Sequence, residues 1–209
     1  MTDRLDMRFG VVRGIRPFSD KASSPRRKYC IIDVEFPGIA PVRQSVGQFA
    51  HHKLDMEGST VLCLINLGVK NMFGQPSEIL ILGVPHPNGG VIAGDDHEAQ
   101  ATFLQALVPP SFSEPNAIKP LASYDDWSAV DMRLGDVVGQ TDSALTVQLD
   151  GGPVSVPLDA PLAAGLLGRS IIIALDRAQP SHGKLPLTAQ GQPLFAEPRE
   201  KVGAGAKVF

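Results

Sequence analysis

The pentapeptide Asp6-Met7-Arg8-Phe9-Gly10 returns later in the chain as Asp131-Met132-Arg133-Leu134-Gly135. Gly58 followed by the apolar run Val61 to Ile65 returns as Gly168 followed by Ile171 to Leu175. A pattern that recurs at domain spacing means two copies of one supersecondary unit. The runs themselves have strand length. Thr60 to Asn66 and Ile79 to Val84 are nearly continuous in apolar residues, as expected of strands buried on at least one face. The chain is therefore expected to be all-β, with short helices.

A length of 209 residues suits two domains of about 100. The boundary falls in Val108 to Pro120, where prolines at 109, 110, 115 and 120 forbid both a helix and a central strand. Just before it, His97 to Leu107 has apolar positions compatible with a short helix. The expected division is 1–100, then a helix and Pro-rich linker over 101–121, then 122–209. Within the first part, Asn88-Gly89-Gly90 suits a tight hairpin turn.

Charge is informative by segment. A formal net charge of −3 and a pI near 5.9 argue against indiscriminate nucleic-acid binding, which needs a broadly cationic surface. Yet between Met1 and Lys53 ten bases stand against five acids, a local excess of +5. The densest part is Lys21 to Lys28, KASSPRRK, a loop between the expected strands Phe9 to Ile15 and Tyr29 to Phe36. Arg26, Arg27 and Lys28 in that loop suit phosphate contacts, and a solvated hairpin loop is the alternative.

The stretch Val42 to Val84 combines strand pattern with polar insertions. Arg43, Gln44 and Ser45 are followed by Gln48, His51 and His52. Leu67 to Ser77 contains Gly68, Gly74 and Pro76, so the chain turns there and brings Asn66, Lys70, Asn71 and Gln75 to one rim. His51-His52 reads either as a phosphate-contacting pair or as a solvated helix start, since adjacent helical residues point apart.

Over most of Leu5 to Val84 these residues resemble the tRNA-binding domain family, and within it the CsaA-type secretion-chaperone branch. The resemblance is carried by Arg43-Gln44-Ser45 with Gln48, by Gly58 with Val61, by Asn66 at a strand end, by Lys70 and Gly74, and by Ser77-Glu78 before the Ile79 strand. The chain departs from the family at Gly68-Val69, where Pro and then a basic residue are usual. The resemblance implies two tandem OB-fold barrels, the second degenerate. It also implies a non-catalytic protein that binds tRNA or structured RNA, using Arg26, Arg27, Lys28, Arg43, Gln44, Ser45, Asn66, Lys70, Ser77 and Glu78. The chaperone branch implies an alternative, a groove for unfolded polypeptide lined by Phe49, Met72 and Phe73. Aromatic residues make up only 6% of the chain, which favours contacts to the nucleic-acid backbone over base stacking.

The second copy has kept the strands and lost these residues. Aligned by strand, Asn66 falls on Asp176, Lys70 on Pro180, Ser77 on Leu187, Glu78 on Thr188, and Gln44-Ser45 opposite Val156-Pro157. Thr141-Asp142-Ser143 stands where the first copy has its basic loop. From Ala101 to Phe209 eight bases face eleven acids, a net of −3, a poor phosphate-binding surface. SYDDWSAVDMRLG and PLFAEPREKVGAGAKVF, which flank copy two, resemble the ends of CsaA-type proteins. Since the family commonly forms homodimers, copy two is expected to imitate a missing partner subunit, giving a pseudo-dimer within one chain, with a homodimer as the alternative. Trp127, with Tyr124 beside it, is either the anchor of that packing or the closure of its own barrel.

Other chemistry finds little support in the sequence. No Gly-x-Ser-x-Gly elbow, phosphate loop or Rossmann fingerprint occurs, and nothing places a base beside Ser45 or Ser77. No catalytic residue, metal site or cofactor is expected. Cys30 and Cys63 lie in strand-like runs and read as reduced core thiols. No apolar run approaches the roughly 20 residues of a membrane helix, and the first ten residues lack the apolar core of a secretory signal, so a cytoplasmic location without membrane partners is expected.

Overall fold

The computed structural model describes residues 2–19, 24, 26, 28–49, 56–85, 101–107, 117–158, 165–176, 179–187 and 192–209. After a 3-10 turn at Thr2–Arg4 come β1 (Met7–Pro17), β2 (Cys30–Phe36), β3 (Ile39–Gly47) and β4 (Thr60–Leu64). A small hairpin follows, β5 (Lys70–Met72) and β6 (Gln75–Ser77), then β7 (Leu80–Ile81), β8 (Gly83–Pro85) and β9 (Ala101–Ala106). A short helix, α1 (Tyr124–Ser128), leads into β10 (Asp131–Gln140), β11 (Ala144–Leu149), β12 (Gly152–Pro157), β13 (Ser170–Asp176), β14 (Gln179–Lys184) and β15 (Ala196–Pro198). The chain is mostly strand, as its apolar runs require.

The second half closes on itself. Its strands follow the order β10-β11-β12-β14-β13, with β10 paired to both β11 and β13 and a parallel bridge from Ser155 to His182 sealing the ring. This is an OB-like barrel. The first half curls the same way in the order β3-β2-β1-β4-β7, leaving β7 and β3 without a ladder between them. Hydrogen bonds from the segment before β7 span that gap. The Glu78 amide donates to the Gln44 carbonyl at 2.8 Å, and the Gln44 amide donates to Glu78 Oε2 at 2.9 Å. The Val46 amide donates to Ser77 Oγ at 3.1 Å.

The repeated residues do the same work in each half. Met7 pairs with Leu64 and Gly10 with Val61, while Met132 pairs with Ala174 and Gly135 with Ile171. Both first strands bulge at the same place, between Val12 and Gly14 and between Val137 and Gly139. Gly58 and Gly168 take φ of 79° and 80°, and each donates its amide at 2.8 Å to the carbonyl of Val12 or Val137. A Cβ on Gly10 would collide with Val34, and one on Gly135 with Val147, so the last residue of the pentapeptide must be glycine where the strands cross.

Among the described residues three apolar cores result. Val12, Ile32, Val34, Val61, Cys63 and Phe103 are among those filling the first barrel, and Val137, Val147, Val154, Ile171 and Ile173 among those filling the second. Between the barrels lies a third, built from Leu5, Met7, Leu62, Leu64, Leu82 and Leu104 on one side and Trp127, Met132, Leu134, Ile172 and Val208 on the other. Alternation along the strand explains it. Val61 and Cys63 point into the barrel while Leu62 and Leu64 point into the middle core, and Ile171 and Ile173 alternate with Ile172 and Ala174 in the same way. Strands buried on both faces need apolar residues at every position, which is why these runs are continuous. Trp127 lies in the middle core and in neither barrel core.

The structure corrects two expectations. The described part of His97 to Leu107 is the strand β9, which pairs with β8 through Gly83 and Phe103 and with β15 through Ala106 and Ala196. A run as short as ATFLQA fits either period, and the two flanking strands decide it. β15 joins β9, and Phe209 and Gly83 exchange two backbone hydrogen bonds of 3.0 Å, so the C-terminal segment crosses onto the first half. Finally, with Val34 matched to Val147, Ser45 corresponds to Val156 and Gln44 to Ser155, one residue earlier than the count by sequence, because the β2–β3 pairing shifts register between Val34 and Phe36.

Cys30 and Cys63 are free and buried, as expected of core thiols. Burial pushes the Cys30 thiol up to about 12 and raises that of Cys63 as well. Among the described residues, no helix is long and apolar enough to cross a membrane. Arg27, His51, His52, Asn88-Gly89-Gly90 and most of the Pro-rich stretch lie outside the described residues.

Candidate nucleic-acid interface

The two halves share a barrel plan, so what the first half adds to that plan is informative. In the second half the turn from β10 to β11 is tight: Gln140 pairs with Leu145, and the Thr141 amide donates to the Ala144 carbonyl at 2.9 Å. In the first half the matching connection runs from Pro17 to Cys30 and carries the basic loop. The second addition lies after β4. The segment from Leu64 to its partner Leu80 is six residues longer than that from Ala174 to Lys184. The extra length holds the β5–β6 hairpin.

That hairpin turns through Phe73 and Gly74, at φ of 56° and 89°, with Met72 paired to Gln75. Two positive φ angles make a mirror-image type I′ turn, which matches the twist of the strands and ordinarily takes Asn or Gly first. The Gly74 amide is held by Asn71 Oδ1 at 2.7 Å. Phe73 is the sole non-glycine residue with positive φ among the described residues, and it is 45% exposed.

The two additions meet at Phe73. Its ring packs edge-on to Phe18 at 5.6 Å and to Tyr29 at 5.2 Å between centroids. Arg26 places its guanidinium 4.8 Å from the Phe73 centroid and 5.9 Å from that of Phe18. Lys28 Nζ stands 5.9 Å from the Tyr29 ring. At the other end of the hairpin, Lys70 Nζ lies 4.8 Å over Tyr124, which is exposed rather than an anchor. Cations on aromatic faces gain about 0.5–1 kcal/mol each at exposed sites, enough to orient long side chains but not to hide them.

The expected site residues divide into surface and frame. Arg26, Lys28 and Lys70 belong to the two additions, with Arg26 and Lys70 exposed and Lys28 half-buried. Ser77 and Glu78 bridge the open edge of the barrel, and Glu78 takes the Gln44 amide. Gln44 is engaged at both ends of its amide, donating to the Pro76 carbonyl at 2.7 Å and accepting from Arg16 at 2.8 Å. Ser45 and Asn66 are buried. Asn66 accepts from the Asp6 amide and donates to the carbonyls of Arg4 and Pro120, which ties three segments together. Arg43 is half-buried and donates to the Ile65 carbonyl at 3.2 Å. Phe49 is buried in the first barrel core, so of the three groove residues only Met72 and Phe73 reach the surface. Sequence reasoning missed Phe18 and Tyr29, although their places on either side of the basic loop are a signal that could have found them.

A cleft of about 350 Å³ lies beside this rim, lined by Arg43, Asn66, Val69, Glu78, Lys119 and Leu121 among others. The second half has a cleft of about 380 Å³ at the matching place, where Val154 and Leu175 stand for Arg43 and Ile65.

No family model matches the chain, and no curated protein does. Thirteen chains of solved structure match. They include the chaperone CsaA from Bacillus anthracis, at 24% identity over 55% of this chain and 89% of that one, with a TM-score of 0.36. A MetRS-related protein from Pyrococcus horikoshii matches at 17% identity, 51% and 83% coverage and a TM-score of 0.35. The C-terminal domain of p43 from Plasmodium vivax matches at 16% identity, 79% and 98% coverage and a TM-score of 0.44.

Proposed function

We propose that this protein is a non-catalytic RNA-binding protein, with tRNA or another structured RNA as its target. The N-terminal barrel provides the binding face, and the degenerate second barrel acts as a scaffold in the place of a partner subunit. One observation carries the reading: the two segments that the first half adds to the shared barrel plan converge on one cluster in which Arg26 and Phe73 are exposed and Phe18, Lys28 and Tyr29 half-buried. The second half closes its barrel without a counterpart of either segment, and in the first half only the Ser77-Glu78 end of the second one braces the open edge. Cations beside aromatic faces, on the loops of an OB-like barrel, are the parts from which nucleic-acid surfaces of this architecture are made. The scaffold role is supported by the middle core, where matching residues of the two halves face each other as in an isologous dimer interface.

Titration with unmodified tRNA at several salt concentrations tests the reading, with an unfolded polypeptide run alongside. Binding is expected to weaken with salt. In a variant carrying Arg26→Ala, Arg27→Ala and Lys28→Ala, the slope of log affinity against log salt is expected to flatten by about one unit for each phosphate left without its cation. An unchanged slope makes the loop a solvated hairpin, and binding of the polypeptide alone overturns the RNA reading. Sedimentation is expected to give the mass of one chain.

A further inference from the structure

We infer that Phe73 is a stacking platform for an unpaired nucleobase, so that the RNA recognised at this site contains a single-stranded or flipped-out nucleotide. The inference rests on the RNA-binding reading above and specifies what the cluster holds. Three features of Phe73 fit it. First, its backbone sits at φ of 56° at a turn position where Asn or Gly would be unstrained, so the fold keeps an aromatic side chain there against its local preference. Second, the ring remains 45% exposed and lies outside the three apolar cores, so core packing does not account for it. Third, the ring is held in place. Phe18 and Tyr29 buttress it edge-on, and the Arg26 guanidinium lies 4.8 Å from its centroid.

A partly exposed aromatic ring with a guanidinium over it matches an unpaired nucleotide. The base stacks on the ring, or on the plane of Arg26 above it, and the cations of Arg26 and Lys28 receive the adjoining phosphates. A paired base in a helix presents no free face to a platform of this kind, so a continuous duplex is excluded as the ligand of Phe73. An acidic peptide would meet the cations but leave the aromatic face unused.

The test uses the full chain and a short single-stranded RNA with one 2-aminopurine, compared with the same sequence annealed to its complement. The native protein is expected to bind the single strand in a salt-dependent manner and to quench its fluorescence by stacking. Phe73→Leu is expected to weaken that binding by about 5- to 150-fold, with quenching abolished and the salt slope unchanged. Phe73→Asn, which suits the turn, is expected to weaken binding likewise while leaving the melting temperature the same or higher. Salt-dependent binding by the native protein with no effect of either substitution and no quenching overturns the platform alone, leaving Phe73 as a cover for Phe18 and Tyr29. Absence of salt-dependent RNA binding by the native protein overturns the RNA reading and the platform with it.

Discussion

Asp6-x-Arg8 and Asp131-x-Arg133 occupy matching places in matching strands, and their fates differ. Arg8 donates to both oxygens of Asp6 at 2.8 and 3.0 Å, and the side chains are 3% and 0% exposed. Arg133 and Asp131 pair at 2.7 Å with side chains 36% and 24% exposed. Each pair holds a strap. Arg8 donates to the Ala117 carbonyl at 2.7 Å, and Asp6 accepts the Lys119 amide at 2.8 Å, fixing the segment that leads to the second half. Arg133 donates to the Gly205 carbonyl at 3.2 Å, fixing the C-terminal segment. One motif thus does one job twice. Its energetic weight is set by how much water the surroundings leave, not by the residues themselves.

Asp6→Ala gives the sharpest version of that contrast. It leaves the Arg8 guanidinium buried without its carboxylate and is expected to cost about 3–5 kcal/mol. Asp131→Ala is expected to cost about 1 kcal/mol or less, because solvent compensates. Denaturant midpoints measure both, and equal losses would break the comparison. Trp127→Ala removes the largest side chain of the middle core, at an expected cost of about 3 kcal/mol. Amide exchange should then quicken in both barrels together; quickening in the second alone would mean that Trp127 serves only its own half. Glu78→Gln keeps the shape of the brace across the first barrel and removes its charge. A loss of about 1 kcal/mol is expected, with protection in the second barrel unchanged.

The smallest effect at neutral pH concerns the thiols, both of which lie in the first half. Burial raises their folded values above the ordinary value of about 8.5. Their contribution is therefore complete below that value and is lost as the pH rises toward the folded values, because the unfolded chain ionises first. Stability is expected to fall above about pH 9, and a Cys30→Ala, Cys63→Ala variant to lose that part of the slope.

Much of this architecture was legible in the sequence. The repeated pentapeptide located β1 and β10, and Gly58 and Gly168 located the turns before β4 and β13. The run from Thr60 holds the strand β4, buried on both faces, whereas Ile79 to Val84 divides between β7 and β8, which join different sheets. Less legible was anything that depends on partners far along the chain. β9 is a strand because β8 and β15 bracket it, and β15 lies some ninety residues further on. Asn66 and Ser45 are polar and stand among surface candidates in sequence, yet backbone groups from distant segments enclose Asn66 and the barrel encloses Ser45. The aromatic cluster was hidden for the same reason: a composition of 6% says nothing about positions 18, 29 and 73 meeting at one point.

The crossing of β15 and Phe209 onto the first half also governs the order in which the molecule can be made. Residues 2–107 leave the ribosome before Ala196 to Phe209 exist, so Leu62, Leu64, Leu82 and Leu104 are synthesised without the groups that cover them. The first barrel can close early around its own core, but its outer apolar face must wait. During that interval the nascent chain displays a greasy strand surface, and its demand on the cell's holding machinery should scale with the pause before the C-terminal segment emerges.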